Sequence, residues 1–230
     1  MPYFYCETLD HSCSDIELSR EESQHLCKTL RIKTGNTVHI INGRGLVAST
    51  IVTNTPKGKG KVKCKIIYIE ELPKPKKRVH LYLAPPRHNI LSGLIKQCVE
   101  LGVWEIHFIE CEFSVAKPKD KADSLMKDII AGAKQSRNPH FPKIHKLEKF
   151  ESAIRDCTLP VVVGAVPEDQ FEELNKKIQD VSLWIGPEGG FSKTEKNLLS
   201  EKKGEALCIG KNILRVETAT VGLLSILLSS

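Results

Sequence analysis

Downstream of residue 78 the chain alternates short apolar runs with longer amphipathic stretches, and this alternation limits its fold more than any other feature. Val79-His80-Leu81-Tyr82-Leu83, Glu105 to Ile109, Pro160 to Gly164, Val181 to Ile185 and Ala206 to Ile209 have the length and content of strands. Between and after them, Ile90 to Leu101, Ala122 to Lys134, Phe171 to Ile178, Lys193 to Lys202 and Thr218 to Leu228 read as helices. Ser192-x-x-Glu195 forms a capping box at the start of the fourth. Apolar strands that alternate with helices pack as a parallel sheet covered on both faces. Ligands of such sheets bind beyond the carboxyl ends of the strands. Three ends therefore matter: Val163-Gly164, Ile185-Gly186 and Ile209-Gly210, each closing on a glycine that a ligand can approach.

The upstream segment has a different rhythm. Glu21 to Leu30 reads as a short helix with Leu26 and Leu30 four apart, and Ser19 with Glu22 has capping-box spacing. Thr37 to Ile41, Leu46 to Thr53 and Lys61 to Ile69 read as strands, the first two joined at the turn signal Asn42-Gly43. In the third, Val62, Cys64 and Ile66 alternate with Lys61, Lys63 and Lys65, so lysines cover one face. Short strands with tight turns predict a small barrel. Glu70 to Arg78, with Pro73 and Pro75, breaks regular structure and marks a domain boundary.

Charge divides at the same place. Residues 1–78 carry 14 Lys+Arg against 8 Asp+Glu, whereas residues 79–230 carry 20 of each, so the whole net charge of +6 lies in the first third. A basic module beside a neutral one suits a polyanion partner, and a solvated surface with a basic linker explains it equally well. No apolar run has the length of a membrane helix, and Met1 to Glu7 has neither a basic nor an apolar leader region, so the expected compartment is the cytoplasm. The eight cysteines form no C-x-x-C pair and read as reduced, mostly buried thiols. The histidines are scattered, and no metal site is expected.

Two loops could carry chemistry. Ile185-Gly186-Pro187-Glu188-Gly189-Gly190-Phe191-Ser192 joins a buried strand to a capped helix. It lacks the Gly-Lys-Ser/Thr of a phosphate loop and the G-x-G-x-x-G of a dinucleotide site, so its backbone groups suit an adenine or ribose edge better than a triphosphate. Ile209 to Ala219 places Arg215 and Glu217 before an apolar helix. Arg215 could stabilise a developing oxyanion and Glu217 could accept a proton, or the two could form a surface pair at a helix start.

Together, Gly186-Pro187-Glu188-Gly189-Gly190-Phe191-Ser192-x-x-Glu195 and Gly210-x-x-Ile213-Leu214-Arg215-x-Glu217-Thr218-Ala219 resemble RsmE, the ribosomal RNA small subunit methyltransferase E family of the SPOUT superfamily. His25-Leu26-x-x-x-Leu30-Arg31-x-Lys33-x-Gly35 with Asn42-Gly43-x-Gly45, Glu100-Leu101-Gly102-Val103 and Gln135-Ser136 match further blocks, so the resemblance covers nearly the whole chain. It implies an α/β fold in two domains: a PUA-like RNA-binding β-barrel over 1–72, and a SPOUT domain over 73–230 with a mostly parallel sheet and a trefoil knot, a rare topology. It also implies a homodimer that uses S-adenosyl-L-methionine to methylate N3 of one uridine, conventionally uracil 1498, in the 16S RNA of the small ribosomal subunit.

The resemblance implies a cofactor held by Val163, Gly164, Ile185, Gly186, Pro187, Gly189 and Gly190 from the first two strand ends. Cys208, Ile209, Gly210, Asn212, Ile213 and Leu214 complete that set. Arg215 is the candidate for stabilising charge on the uracil carbonyls, and Glu217 or Glu188 for taking the N3 proton. RNA contacts fall to Arg31, Lys33, Arg44, Lys59, Lys61, Lys63, Lys65, Gln135 and Arg137. Two positions depart from the family pattern: Phe113 stands where Arg is usual, and Lys134 where Glu is common, so family contacts at these positions are not carried over. The competing readings are a non-catalytic RNA-binding module and a knotted enzyme that methylates a ribose 2′-oxygen or a transfer RNA.

Overall fold

The computed structural model describes residues 2–56, 60–115, 122–166, 172–173 and 179–229. The chain separates into two units, one made of Met1–Lys74 with Ile130–Phe141 and the other of Pro75–Ile129 with Pro142–Ser230. The sequence divides the chain once, at 72/73. The structure instead draws a later segment, 130–141, into the first unit.

That unit contains β1 (Tyr3–Tyr5), β2 (Asp15–Glu17), α1 (Arg20–Gln24), β3 (Thr37–Ile41), β4 (Leu46–Asn54) and β5 (Lys63–Glu71). They form a five-stranded sheet in the order β1-β3-β4-β5-β2, with β1 parallel to β3 and the other pairs antiparallel. At the β3–β4 turn the buried Asn42 side chain accepts the N–H groups of Arg44 (2.8 Å) and Leu46 (3.1 Å), and Gly43 and Gly45 take positive φ. The core holds Phe4, Leu9, Leu18, Val38, Ile40, Val52 and Cys64. The alternation expected in β5 is present: Cys64 is buried while Lys63 and Lys65 are exposed.

The expected single helix over 21–30 is instead α1 followed by a π turn, His25–Thr29. The extra residue in that turn rotates Leu30 off the core face, leaving it 41% exposed while Leu26 is fully buried. Ser19 Oγ accepts the Glu22 N–H as predicted, but the Glu22 carboxylate does not complete the capping box. It takes Lys134 Nζ at 2.7 and 3.0 Å, joining α1 to the segment 130–141.

The second unit contains β6 (Arg78–Leu83), α2 (His88–Leu101), β7 (Glu105–Glu110), the start of α3 (Ala122–Ser136), β8 (Lys143–Lys149), α4 (Phe150–Asp156), β9 (Val161–Gly164), β10 (Glu172–Glu173), β11 (Asp180–Ile185), α5 (Lys193–Glu201), β12 (Glu205–Leu207) and α6 (Val216–Ser229). Its seven strands are all parallel, in the order β10-β12-β9-β11-β6-β7-β8. The chain builds β6, β7 and β8 outward, returns through α4 to β9, and then places β11 between β9 and β6. This reversal creates a crevice of the kind that holds ligands in parallel sheets.

Two expectations need correction here. Glu172 and Glu173, read as helical, form β10; the rest of 171–178 lies outside the described residues. The strand expected to run to Ile209 ends at Leu207, because its partner β9 ends at Gly164, the residue paired with Leu207. β8 and α4 were not anticipated, since Lys143–Lys149 is largely polar and forms the edge of the sheet.

One row of side chains crosses four strands in register. Trp184, Tyr82, His107 and His145 stack face to face, with ring centroids 4.1, 4.3 and 3.8 Å apart and planes within 9°. Phe150 meets Trp184 edge-on at 5.5 Å. Burial, reinforced by His145, drops the His107 pKa to about 4.

Candidate functional site

The carboxyl ends of β9 and β11, together with the chain from Leu207 to Val216, enclose a cavity of about 480 Å³ within the second unit. That is a normal size for a small-molecule site. Glycine shapes its walls. A Cβ on Gly164 would sit 2.6 Å from Ile185 Cδ1 and 2.9 Å from Leu223 Cδ1, so β9 can lie this close to β11 and α6 only without a side chain there. Gly190 (φ 75°) closes a turn through its N–H to Pro187 O at 2.8 Å, and Gly210 (φ 66°) turns the second loop. Ile209 packs on α6 at Gly222, where a Cβ would meet Ile209 Cδ1 at 2.4 Å.

A buried carboxylate holds the first loop. Ser192 Oγ caps α5 by accepting the Glu195 N–H, and Glu195 Oε2 accepts the Ser192 N–H at 2.7 Å, completing the predicted box. Glu195 Oε1 accepts the backbone N–H of Glu112 at 2.8 Å. The loop at 111–115 is thereby fastened to the loop at 186–192, and Phe113 Cβ lies 3.0 Å from where a Cβ on Gly189 would stand. Burial, with Glu195 next, pushes the Cys111 thiol far above its usual range, so it is an inert packing group.

The cavity gathers most of the residues singled out from the sequence. Gly164, Ile185, Gly186, Pro187, Gly189 and Gly190 line it from one side. Cys208, Ile209, Gly210, Asn212, Ile213 and Leu214 line it from the other, and both Glu188 and Arg215 face it. Val163 does not: it is fully buried in the sheet. Glu217 is also absent from the lining and stands in the first turn of α6, where the helix dipole favours a carboxylate. Sequence reading missed Ala165, Val166 and Phe191, which directly follow the named glycines, and Lys196, Leu207, Val216, Ala219 and Leu223, which reach the cavity from helix faces and a strand end that carry no glycine signal.

A family model described as an RNA methyltransferase domain matches residues 73–228. The chain belongs to the RNA methyltransferase domain family. Among curated relatives, this methyltransferase is similar to ribosomal RNA small subunit methyltransferase E of Aquifex aeolicus, 29% identical over 74% of this chain and 77% of that one. It is also similar to ribosomal RNA small subunit methyltransferase E 1 of Borreliella burgdorferi, 24% identical over 93% and 92%. The resemblance to RsmE read from the motifs therefore holds. The fold is similar to that of ribosomal RNA small subunit methyltransferase E from Neisseria gonorrhoeae bound to S-adenosyl methionine (TM-score 0.87, 18% identity, 100% and 97% of the two chains). It is likewise similar to a probable rRNA-methyltransferase from Porphyromonas gingivalis (TM-score 0.86, 25% identity, 100% and 99%).

The methyltransferase keeps its candidate RNA residues on the first unit. Arg31, Lys33, Lys63 and Lys65 are exposed there, and Arg137, on the same unit, lies 5.9 Å from the Tyr3 ring. Exposed Gln135 belongs to this unit too, although the sequence placed it and Arg137 in the other domain. Arg44 donates to Glu7 O at 3.0 Å. Lys61 pairs with Glu17 at 2.9 Å, and Glu17 and Asp15 lie directly across from Lys63 and Lys65, so β2 offsets part of the lysine face. Lys59 lies outside the described residues. The departure at Lys134 has a local partner in Glu22, and that at Phe113 lies against Gly189.

Proposed function

We propose that this chain transfers a methyl group from S-adenosyl-L-methionine to N3 of one uridine in the 16S RNA of the small ribosomal subunit. The observation that carries this reading is the cavity between the two glycine loops, with Arg215 and Glu188 on its wall. Its chemistry fits the cofactor. Ile185, Leu207 and Leu214 offer an apolar slot for an adenine, and the glycine turns leave backbone N–H and C=O groups within a ligand's reach. The glycine cradle at Gly164 has no room for a side chain that would fill the cavity. When bound, the cofactor supplies a methyl group made electrophilic by its sulfonium.

The remaining work falls to the chain. Arg215 stabilises the charge that reaches the uracil carbonyl oxygens once N3 loses its proton, and Glu188, the carboxylate on the cavity wall, accepts that proton, whereas Glu217 stands off the wall at the start of α6. Exposed cations on the first unit hold RNA phosphates, while the target base leaves its stack. Within this reading the first unit is a PUA-like RNA-binding domain and the second is a SPOUT domain with a trefoil knot. The chain works as a cytoplasmic homodimer, and α6, with Ile226 exposed, supplies part of the interface. Among the described residues no helix is long and apolar enough to cross a membrane.

The test is incubation of the purified protein and cofactor with small subunits lacking the modification, followed by mass-spectrometric mapping. One methyl group at uridine N3 is expected. Methylation of a ribose 2′-oxygen, or cofactor binding without transfer to this RNA, would replace the reading with one of its rivals.

A further inference from the structure

The strands β6, β7 and β8 carry a second cluster that the proposed methyl transfer does not use. Register sets His80 opposite Glu105 and His107 opposite His145. His107 follows Glu105 by two residues on the same strand, so both project from the same face. One carboxylate oxygen lies at the centre: Glu105 Oε2 is 3.3 Å from His107 Nε2, 3.7 Å from His80 Nδ1 and 2.6 Å from His145 Nε2. An ionised carboxylate can only accept, so the shortest of these contacts is a hydrogen bond donated by His145. His107 Nε2 is buried and has no hydrogen-bond partner despite its approach to the same oxygen. A buried imidazole nitrogen left in this way calls for an explanation.

We propose that His80, Glu105 and His107 form a binding site for a divalent transition-metal ion of the zinc class. The three donor atoms, one from each residue, all lie within 4.8 Å of one another. Ligand atoms of a tetrahedral zinc site, bonded at about 2.0–2.1 Å, are about 3.4 Å apart, close to the 3.3 and 3.7 Å measured from Glu105 Oε2. Two histidines and one carboxylate suit zinc, cobalt and nickel, and poorly suit magnesium or calcium, which prefer oxygen donors alone.

The surroundings complete the site. His145 holds the carboxylate through its hydrogen bond, and His107 is clamped between Tyr82 and His145, with its Nδ1 turned toward Glu148 Oε1 at 4.0 Å. Carboxylates and hydrogen-bonded neighbours in these positions orient metal-bound imidazoles and carboxylates. The four side chains are 12–26% exposed, so the cluster lies near the surface of the sheet, with His107 Nε2 itself buried. The donors sit on β6 and β7, in the half of the sheet away from β9 and β12. An ion there would tie two neighbouring strands together without touching the cavity, a structural role.

Untagged protein, stripped with a chelator, is titrated with Zn2+ by calorimetry and with Co2+ by visible absorption. The expected result is one equivalent per chain. His80→Gln and His107→Gln should each weaken binding at least tenfold, and His145→Gln, which removes a hydrogen bond but no ligand, by about tenfold. Zinc should also raise the melting temperature of the wild type and leave that of His80→Gln unmoved. No uptake by the wild type would overturn the site. So would uptake that persists in both ligand variants but disappears in Cys208→Ser, since the ion would then be on an exposed thiol.

Discussion

Glu195 accepts the backbone N–H of Glu112, 83 residues earlier in the chain, at 2.8 Å. With its other oxygen on the Ser192 N–H, this 2%-exposed carboxylate fastens the loop at 111–115 to the cap of α5, the end of the loop whose residues 186–191 line the cavity. Glu195→Ala leaves two N–H groups unsatisfied and is expected to cost about 2–4 kcal/mol, with a larger proportional loss of cofactor affinity. Glu195→Gln, whose amide oxygen can still accept, should cost about half as much. Urea denaturation and calorimetric titration of S-adenosyl-L-methionine measure the two effects separately.

Gly164→Ala drives a methyl group toward Ile185 Cδ1 and Leu223 Cδ1. Both are flexible side-chain ends, so the expected stability cost is about 1–2 kcal/mol. Their displacement goes into the cavity, and cofactor affinity should fall by about tenfold or more. A variant that binds the cofactor at wild-type strength would show that this wall is not the binding surface.

Gly43 makes a comparable claim in the first unit. Its φ is 76°, its Cβ position lies 2.6 Å from the Phe141 ring, and its carbonyl accepts the Phe141 N–H at 2.9 Å. Gly43→Val should destabilise by more than about 2 kcal/mol through combined backbone and steric strain. It should also raise hydrogen exchange at the Phe141 amide, which reports directly on the hold over 130–141.

Arg215→Ala should abolish most methyl transfer, by about a hundredfold or more, while leaving cofactor affinity within a few-fold. Lys63→Glu with Lys65→Glu should weaken RNA binding and flatten its dependence on salt, because fewer counterions are released. The matching change at Lys61 should do less, since Glu17 already occupies that ammonium. Filter binding across a salt series compares the three.

Arg78 hydrogen-bonds Asp180 through Nε at 2.9 Å and through Nη2, and this holds the Asp180 carboxyl below its ordinary value. A carboxyl whose folded value is lowered adds stability above its unfolded pKa and loses it as pH falls through the folded one. Asp180→Asn should therefore be less stable than the wild type near neutrality and converge with it in acid. The difference will be small because the pair is about one-third exposed. Urea midpoints from pH 7 down to about pH 2 trace it.

Local pattern carried the sequence reading a long way. Apolar runs and helical spacing marked most elements, Ser192 marked the α5 cap, and the glycines marked the loops that line the cavity, because each of these signals acts over a few residues of chain. Strand register acts over much greater separations. The placement of β11 between β6 and β9, the pairing of Glu22 with Lys134, the recruitment of 130–141 to the first unit and the meeting of His80, Glu105 and His107 all join residues far apart in sequence or on different strands. A histidine reads the same in a sequence whether its neighbour across the sheet is a leucine or a glutamate. Only the packed sheet, which fixes that neighbour, makes scattered side chains into a cluster.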